Sequence, residues 1–344
     1  MREFPRTPDD LSTQWLSSAL GFTVNGFEVT YFGEGAGIMA MVTRVLLQTD
    51  GDNPVSVIAK FPSPSPENRS AANTYNMYGR EVQFYYEIAA HVKMRTPACF
   101  YSAFDPATED FILLLEDIGH LRVGDQVAGC TLEEARSILS AVADLHASTW
   151  QPTHIKNLIS HDNPAQREGM IAAFQVGWPV VNAQFPDLIP ESAQIAGDKL
   201  PGAVGRLLNE MCQDPVCLSH SDVRLDNIFF DGNEVIFVDW QSICTSAPEQ
   251  DLAYFITQSV PPTVRAQEDL VAFYHAELTS RGVDYDLAFC RRRYRVSALY
   301  LLCYAVVIAG TFDLANERGT ALARTLLGNA MSALDEMDAF TLLN

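Results

Sequence analysis

"LSHSDVRLDNIFFDGNEVIFVDWQ", residues 218–241, crowds four Asp, a Glu and a His around two short apolar runs. "IFF" and "EVIFV" read as strands joined by "DGN", a turn sequence, which predicts a β-hairpin. From 213 to 260 there are eight acidic residues and one basic one, Arg224. Carboxylates at such density repel one another unless a cation joins them. An amide and a carboxylate oxygen are hard donors suited to Mg²⁺, which commonly shares its shell with phosphate oxygens. A three-residue loop, Asp231–Asn233, sets Phe230 opposite Glu234 and Asn227 opposite Phe237. Asp239 then falls on the face of Asn227, and the two are expected to converge on one ion. Asp222, five residues before Asn227, is placed to orient or deprotonate a hydroxyl.

The order His220, Asp222, Asn227, then Asp239 after a strand-turn-strand is more specific than the acidity alone. Upstream, "FGEGAG" carries Gly33, Gly35 and Gly37, a loop whose backbone could approach phosphate closely. Lys60 ends the strand-like "VSVIAKF", and Glu81 lies early in the helical pattern that follows. The H-x-D-x-x-x-x-N spacing resembles the catalytic loop of protein kinases, but "VDWQ" stands where those have D-F-G. "HSDVRLDN" and "VDWQ" together resemble the aminoglycoside phosphotransferase and choline kinase superfamily, near its ecdysteroid-kinase-like branch. The resemblance runs from about Tyr31 to Phe255.

That resemblance implies an α+β, two-lobed, protein-kinase-like fold: a small antiparallel β-rich lobe over 1–118 and a larger, mainly helical lobe over 119–344. It implies ATP and Mg²⁺ as cofactors and transfer of the γ-phosphoryl group to a hydroxyl of a small molecule. Lys60 would meet the α- and β-phosphates, Glu81 would hold Lys60, and Asn227 and Asp239 would ligate Mg²⁺. Asp222 would position the acceptor. Backbone groups near Glu116 to Ile118, in "ILLLEDIG", would bind adenine. His220 and Asp251 would brace the loop, and His146 would pack behind it. Two other classes remain open: a nucleotide-binding pseudokinase with a regulatory role, which retention of Lys60, Asp222, Asn227 and Asp239 disfavours, and a protein kinase, which the missing D-F-G and A-P-E disfavour.

The 344 residues carry a formal charge of -20, which disfavours nucleic acid and anionic membranes and slightly favours a cationic acceptor such as an aminoglycoside or choline. A steroid-like acceptor fits the family resemblance equally. Phe174, Trp178 and Trp240 are candidate stacking partners for an acceptor, although core packing is the commoner fate of such rings. Seven Cys without paired spacing, and "MREFPRTPDD" without a signal-peptide core, lead to an expected cytoplasmic location.

Before residue 62 the pattern predicts three antiparallel strands, with two more around 98–104 and 110–117. "FPSPSPENRS", 61–70, is expected to be extended and mobile. Thr131 and Glu134 form a capping-box pattern that opens an apolar helical stripe. "VSALYLLCYAVVIAG", 296–310, is too short to span a bilayer and reads as a buried helix. The arginines 291–293 and 295 are expected to be its solvated start.

Overall fold

β-Branched and aromatic residues dominate the chain before residue 62, and there they alternate as strands require. The structure, a computed structural model, describes residues 3–32, 39–152, 155–311 and 317–344. It divides into two compact units: Met1–Ala90 with Arg95–Arg122 and Ile236–Ser242, and His91–Met94 with Val123–Val235 and Ile243–Asn344.

In the first unit α1 (Thr13–Leu20) precedes β1 (Val24–Tyr31), β2 (Ala40–Thr49) and β3 (Ser56–Pro62). Helices α2 (Pro66–Thr74) and α3 (Met77–Gln83) lead to β4 (Cys99–Asp105) and β5 (Asp110–Glu116). The strands form one sheet in the order β1-β2-β3-β5-β4, with every adjacent pair antiparallel. Val57, Ala59 and Phe61 of β3 point into a core with Val45, Ile112, Leu114 and Leu16. The strand period of two therefore turns Lys60 to the opposite face. The expectation for 61–70 needs correction. Ser65 accepts a hydrogen bond from the Asn68 N–H, and Pro66 fills the first helical turn, so 66–70 are helical. These are N-cap and N1 signals that outweigh the Pro and Ser composition.

The second unit begins after the short β6 (Arg122–Val123) with α4 (Leu132–Ser148), opened by the expected capping box: Thr131 N–H donates to Glu134 and Glu134 N–H to Thr131 Oγ1. Then come α5 (Pro164–Gln184), α6 (Gln194–Met211), β7 (Cys217–Ser219), β8 (Ile228–Asp231), β9 (Glu234–Phe237, of which Ile236 and Phe237 belong to the first unit) and β10 (Cys244–Ser246). Helices α7 (Glu249–Gln258), α8 (Pro262–Arg265), α9 (Leu270–Ser280), α10 (Leu287–Thr311) and α11 (Glu317–Glu336) complete it.

The loop between β8 and β9 is two residues, Gly232 and Asn233, with Gly232 at φ +61°. The expected three-residue register is thus wrong by one, and a one-residue change reverses which side chains share a face. Asn227 lies in a 3₁₀ turn before the strand rather than within it.

Helix α10 is the one long apolar helix found among the described residues, over Leu287–Gly310, and it is mostly buried against protein. Its arginines are not uniformly solvated. Arg293 is fully buried: it donates to Pro215 O at 2.9 Å and lies 3.3 Å from Glu249 Oε2. Glu249 opens α7, so this pair ties two helices at a cost in desolvation that only paired charges tolerate. Phe174, Trp178 and Trp240 are accounted for by packing: Phe174 is buried and stacked on Trp178, and Trp240 is buried on Phe84.

Helices α5 and α10 meet through glycine, because a Cβ on Gly310 would lie 2.5 Å from Gly177 Cα. Gly310→Ala is expected to force the helices apart and cost about 1–3 kcal/mol. A lowered unfolding midpoint in urea with an unchanged m-value checks this, and an unchanged midpoint would contradict it.

Candidate active site

The charge missing from the acidic hairpin is supplied, in the first unit, by Lys60. Its Nζ donates to Glu81 Oε1 at 2.6 Å and to Asp239 Oδ1 at 2.9 Å. Lys60 and Glu81 are buried, whereas the Asp239 side chain keeps 24% of its exposure. Burial works against the ammonium, but Asp239 and Glu81 outweigh it and hold the Lys60 pKa above its ordinary value. Glu81 is shifted upward by burial, with the Asp239 charge adding to it against Lys60. An ammonium has three protons to donate. Two reach carboxylates here, and the third is the one an anion could take.

Asp239 does not reach this position by strand alternation. It follows β9 with φ +66°, a left-handed conformation that a residue with a Cβ adopts at a cost of about 1–2 kcal/mol. The turn is held on both sides. Gln241 Nε2 donates to Asp239 Oδ2 at 3.1 Å, and the Trp240 ring stacks on Phe84 with centroids 3.7 Å apart and planes 4° from parallel. Trp240 Nε1 also donates to Phe237 O at 3.1 Å. Trp240 therefore anchors the Asp239 turn, which is why an aromatic follows the Asp without being part of D-F-G.

In the second unit, residues 219–227 are shaped by Asp251 from α7. Its Oδ1 accepts from Ser219 Oγ at 2.7 Å and Ser221 N at 2.7 Å; its Oδ2 accepts from His220 N at 2.8 Å and His146 Nε2 at 3.1 Å. Burial opposes this carboxylate, but His146, His220 and Ser219 hold its pKa below the ordinary Asp value of 3.8. His146 is completed by Tyr274, whose hydroxyl lies 2.6 Å from Nδ1. Ser221 is left-handed at φ +66°. Beyond it, Asp222 N donates to His220 Nδ1 at 3.3 Å, and Asn227 Nδ2 donates to Asp222 O at 3.1 Å and Asp222 Oδ2 at 2.9 Å. The amide of Asn227 thereby faces Asp222 with its nitrogen, which turns its Oδ1 elsewhere. Arg224 Nε lies 3.5 Å from Asp222 Oδ1. Buried Tyr254 has its pKa raised well above the ordinary value, first by burial and then by the charge of Asp222.

Of the sequence candidates, Lys60, Glu81 and Asp239 are in direct contact in the first unit, and Asp222 and Asn227 in the second. Glu116 closes β5: its N–H donates to Ala98 O at 2.8 Å and its Oε2 accepts from Ala98 N at 3.1 Å. Ile118 is buried and its carbonyl accepts from Leu121 N at 2.9 Å. Gly33, Gly35 and Gly37 lie outside the described residues. The sequence reading missed Asp117, between Glu116 and Ile118. Asp117 accepts from Arg44 Nε and Ser56 Oγ, each at 2.7 Å, and from Gly119 N at 3.0 Å, which fixes the end of β5 to β2 and β3. Arg44 in the middle of a strand was the available signal.

Among the described residues no three His, Cys, Asp or Glu side chains cluster as a metal site. The oxygens assigned to Mg²⁺ number two, an amide and a carboxylate. Each is a hard oxygen donor of the kind that Mg²⁺ takes.

A β-sheet unit and a helical unit carrying these two constellations define the fold of kinase-like small-molecule phosphotransferases. The sequence model of the ecdysteroid kinase-like family matches residues 34–282, and the chain belongs to that family. The fold is similar to choline kinase from Cryptosporidium parvum (TM-score 0.58, 10% identity, 92% of each chain covered). It is also similar to an ethanolamine kinase from Plasmodium vivax (TM-score 0.54, 13% identity, 91% of this chain and 83% of that one). A third is aminoglycoside 2'-phosphotransferase-IIIa solved with GDP (TM-score 0.51, 15% identity, 93% of this chain and 97% of that one). No curated protein matches the sequence significantly.

Removing one member of a buried ion pair strands the other. Lys60→Met is expected to cost about 3–5 kcal/mol in urea unfolding, and adding Glu81→Leu to recover much of it. Additive losses would show that the two charges do not depend on each other. Asp251→Asn gives a second check. Because the folded pKa of Asp251 is depressed, its stabilisation is present above about pH 4 and is lost as pH falls through the folded value. The gap in stability between wild type and Asp251→Asn should therefore be widest near neutrality and narrow below about pH 4.

Proposed function

We propose that the chain transfers the γ-phosphoryl group of ATP to a hydroxyl of a small molecule. The observation that carries this reading is the contact of Lys60 with both Glu81 and Asp239. These residues come from three separate motifs, and their meeting is what a nucleotide-phosphate site of this family requires. Lys60 donates to the α- and β-phosphates and Glu81 keeps the ammonium aimed. Asn227 and Asp239 would each offer an oxygen to Mg²⁺, which when bound would neutralise charge on the phosphates. That assignment rests on donor chemistry and motif order.

Asp222 accepts the hydroxyl proton of the acceptor or orients it for in-line attack. Its carboxylate is steadied by Asn227 Nδ2 at 2.9 Å, so the acceptor meets an oxygen whose position is already fixed. Little covalent work is left to the protein, since the loose transition state of phosphoryl transfer is stabilised by position and charge. Asp251, His146 and His220 keep the loop in place. Adenine is proposed to lie against the backbone from Glu116 to Ile118, where the Glu116 N–H already donates to Ala98 O and the remaining groups of the segment supply the contacts.

The acceptor is a hydroxylated small molecule. Choline, ethanolamine and aminoglycosides are named for the similar folds, and the charge of -20 favours an acceptor that carries an amine. ATP consumption measured against amino alcohols, aminoglycosides, sugars and sterols is expected to rise with at least one of them. With that acceptor, Asp222→Asn should lower kcat by about 100-fold or more while the KM for ATP changes little. Wild-type turnover in Asp222→Asn would remove that residue from the mechanism. Asp239→Asn should abolish Mg²⁺-supported turnover, and an Mg²⁺ response unchanged from wild type would refute its assignment.

A further inference from the structure

Behind Ser221 runs a series of buried hydrogen bonds with one self-consistent direction. Asp251 is a carboxylate, and Ser219 Oγ donates to it at 2.7 Å. A hydroxyl has a single proton, so at the 2.9 Å contact between the two serines Ser219 accepts and Ser221 donates. By the same count Cys244, with Sγ 3.1 Å from Ser221 Oγ, gives its thiol proton to Ser221. The sulfur must then accept at its 3.2 Å contact with His161 Nδ1, which places a proton on Nδ1. With a single proton on the ring, Nε2 accepts in turn, from the Tyr300 hydroxyl 3.3 Å away or from that of Tyr304 at 3.5 Å. The Tyr300 oxygen accepts from Gln166 Nε2 at 2.8 Å, and the same amide reaches Tyr304 at 2.8 Å.

The backbone supports this placement. His161 N donates to Thr245 O at 2.9 Å and Thr245 N to Ile159 O at 2.8 Å, which lays the segment before α5 along β10. Cys244 of β10 pairs with Ser219 of β7. Ser219, Ser221, Cys244, His161 and Tyr300 are all buried, so water does not compete to reorient their protons.

We infer that His161 is a positioning residue for the candidate catalytic loop: as the Nδ1–H tautomer it fixes the direction of a hydrogen-bond chain from Gln166 to Asp251 that pins Ser221, the neighbour of Asp222. Imidazole side chains in water favour the other tautomer, and here the thiol and the tyrosine hydroxyl reverse that preference. The contacts of Ser221 hold a left-handed residue that would otherwise relax and carry Asp222 with it. The role in positioning rests on the phosphotransferase reading; the tautomer does not.

Two-bond ¹⁵N–¹H correlation spectra of histidine-labelled protein read the tautomer directly, with His161 assigned by the signal lost in His161→Gln. At neutral pH the wild-type ring should carry its proton on Nδ1. Cys244→Ala removes the acceptor and should move the proton to Nε2. It should also speed amide exchange at His220 and Ser221 about fivefold, and Cys244→Ser should restore both toward wild type. A wild-type ring protonated on Nε2 or on both nitrogens would overturn the inference. So would unchanged loop exchange in Cys244→Ala, or equal losses in the Ala and Ser variants. No nucleotide or acceptor enters these measurements, so a failure here leaves the phosphotransferase reading standing, and failure of that reading leaves the tautomer untouched.

Discussion

A single buried carboxylate, that of Asp251, accepts hydrogen bonds from a hydroxyl, two backbone amides and an imidazole, and the geometry of the acidic loop depends on it. Burying a charge is costly unless every lone pair finds a donor. Here the donors are the backbone and side chains of residues 219–221, with His146 behind them. The requirement runs in both directions. The carboxylate needs the loop to be ionised in the core, and the loop needs the carboxylate to hold Ser221 in a left-handed conformation. Asp222 and Asn227 project from a backbone fixed in this way, not from regular secondary structure.

The first unit solves a parallel problem with opposite charge. Lys60 is buried on β3 and balanced by Glu81 and Asp239, so a cation is kept where composition alone would leave only acids. Trp240 stacked on Phe84 fixes the turn that delivers Asp239. In both units a strained, left-handed residue, Ser221 in one and Asp239 in the other, sits beside a buried charge that compensates it. Strain that persists because its surroundings over-determine it is characteristic of sites that must be rigid before their ligand arrives.

Much of this was legible in the sequence, for reasons that differ by residue. The five strands of the sheet followed from alternation and β-branching, and the opening of α4 from Thr131 and Glu134. The motif order picked out Lys60, Glu81, Asp222, Asn227 and Asp239, because phosphate and Mg²⁺ chemistry restricts which residue types could be expected to serve, and the family resemblance added Asp251. What failed was register. Asn227 and Asp239 are oriented not by regular strands but by a 3₁₀ turn and a left-handed kink. The Pro and Ser stretch concealed a helix whose N-cap, Ser65, was readable in hindsight. Arg293 and the partners of His161 were not readable at all, since a local pattern cannot show that an arginine pairs with Glu249 or that a histidine lies between Cys244 and Tyr300.

The buried charge of Lys60 matters functionally through the nucleotide it is proposed to receive. Calorimetric titration of ATP and of GTP into the protein, with Mg²⁺ and with a chelator in its place, tests this most directly. Saturable binding of at least one nucleotide, markedly tighter when Mg²⁺ is present, is the expected result. Absence of binding for both nucleotides under both conditions would contradict it.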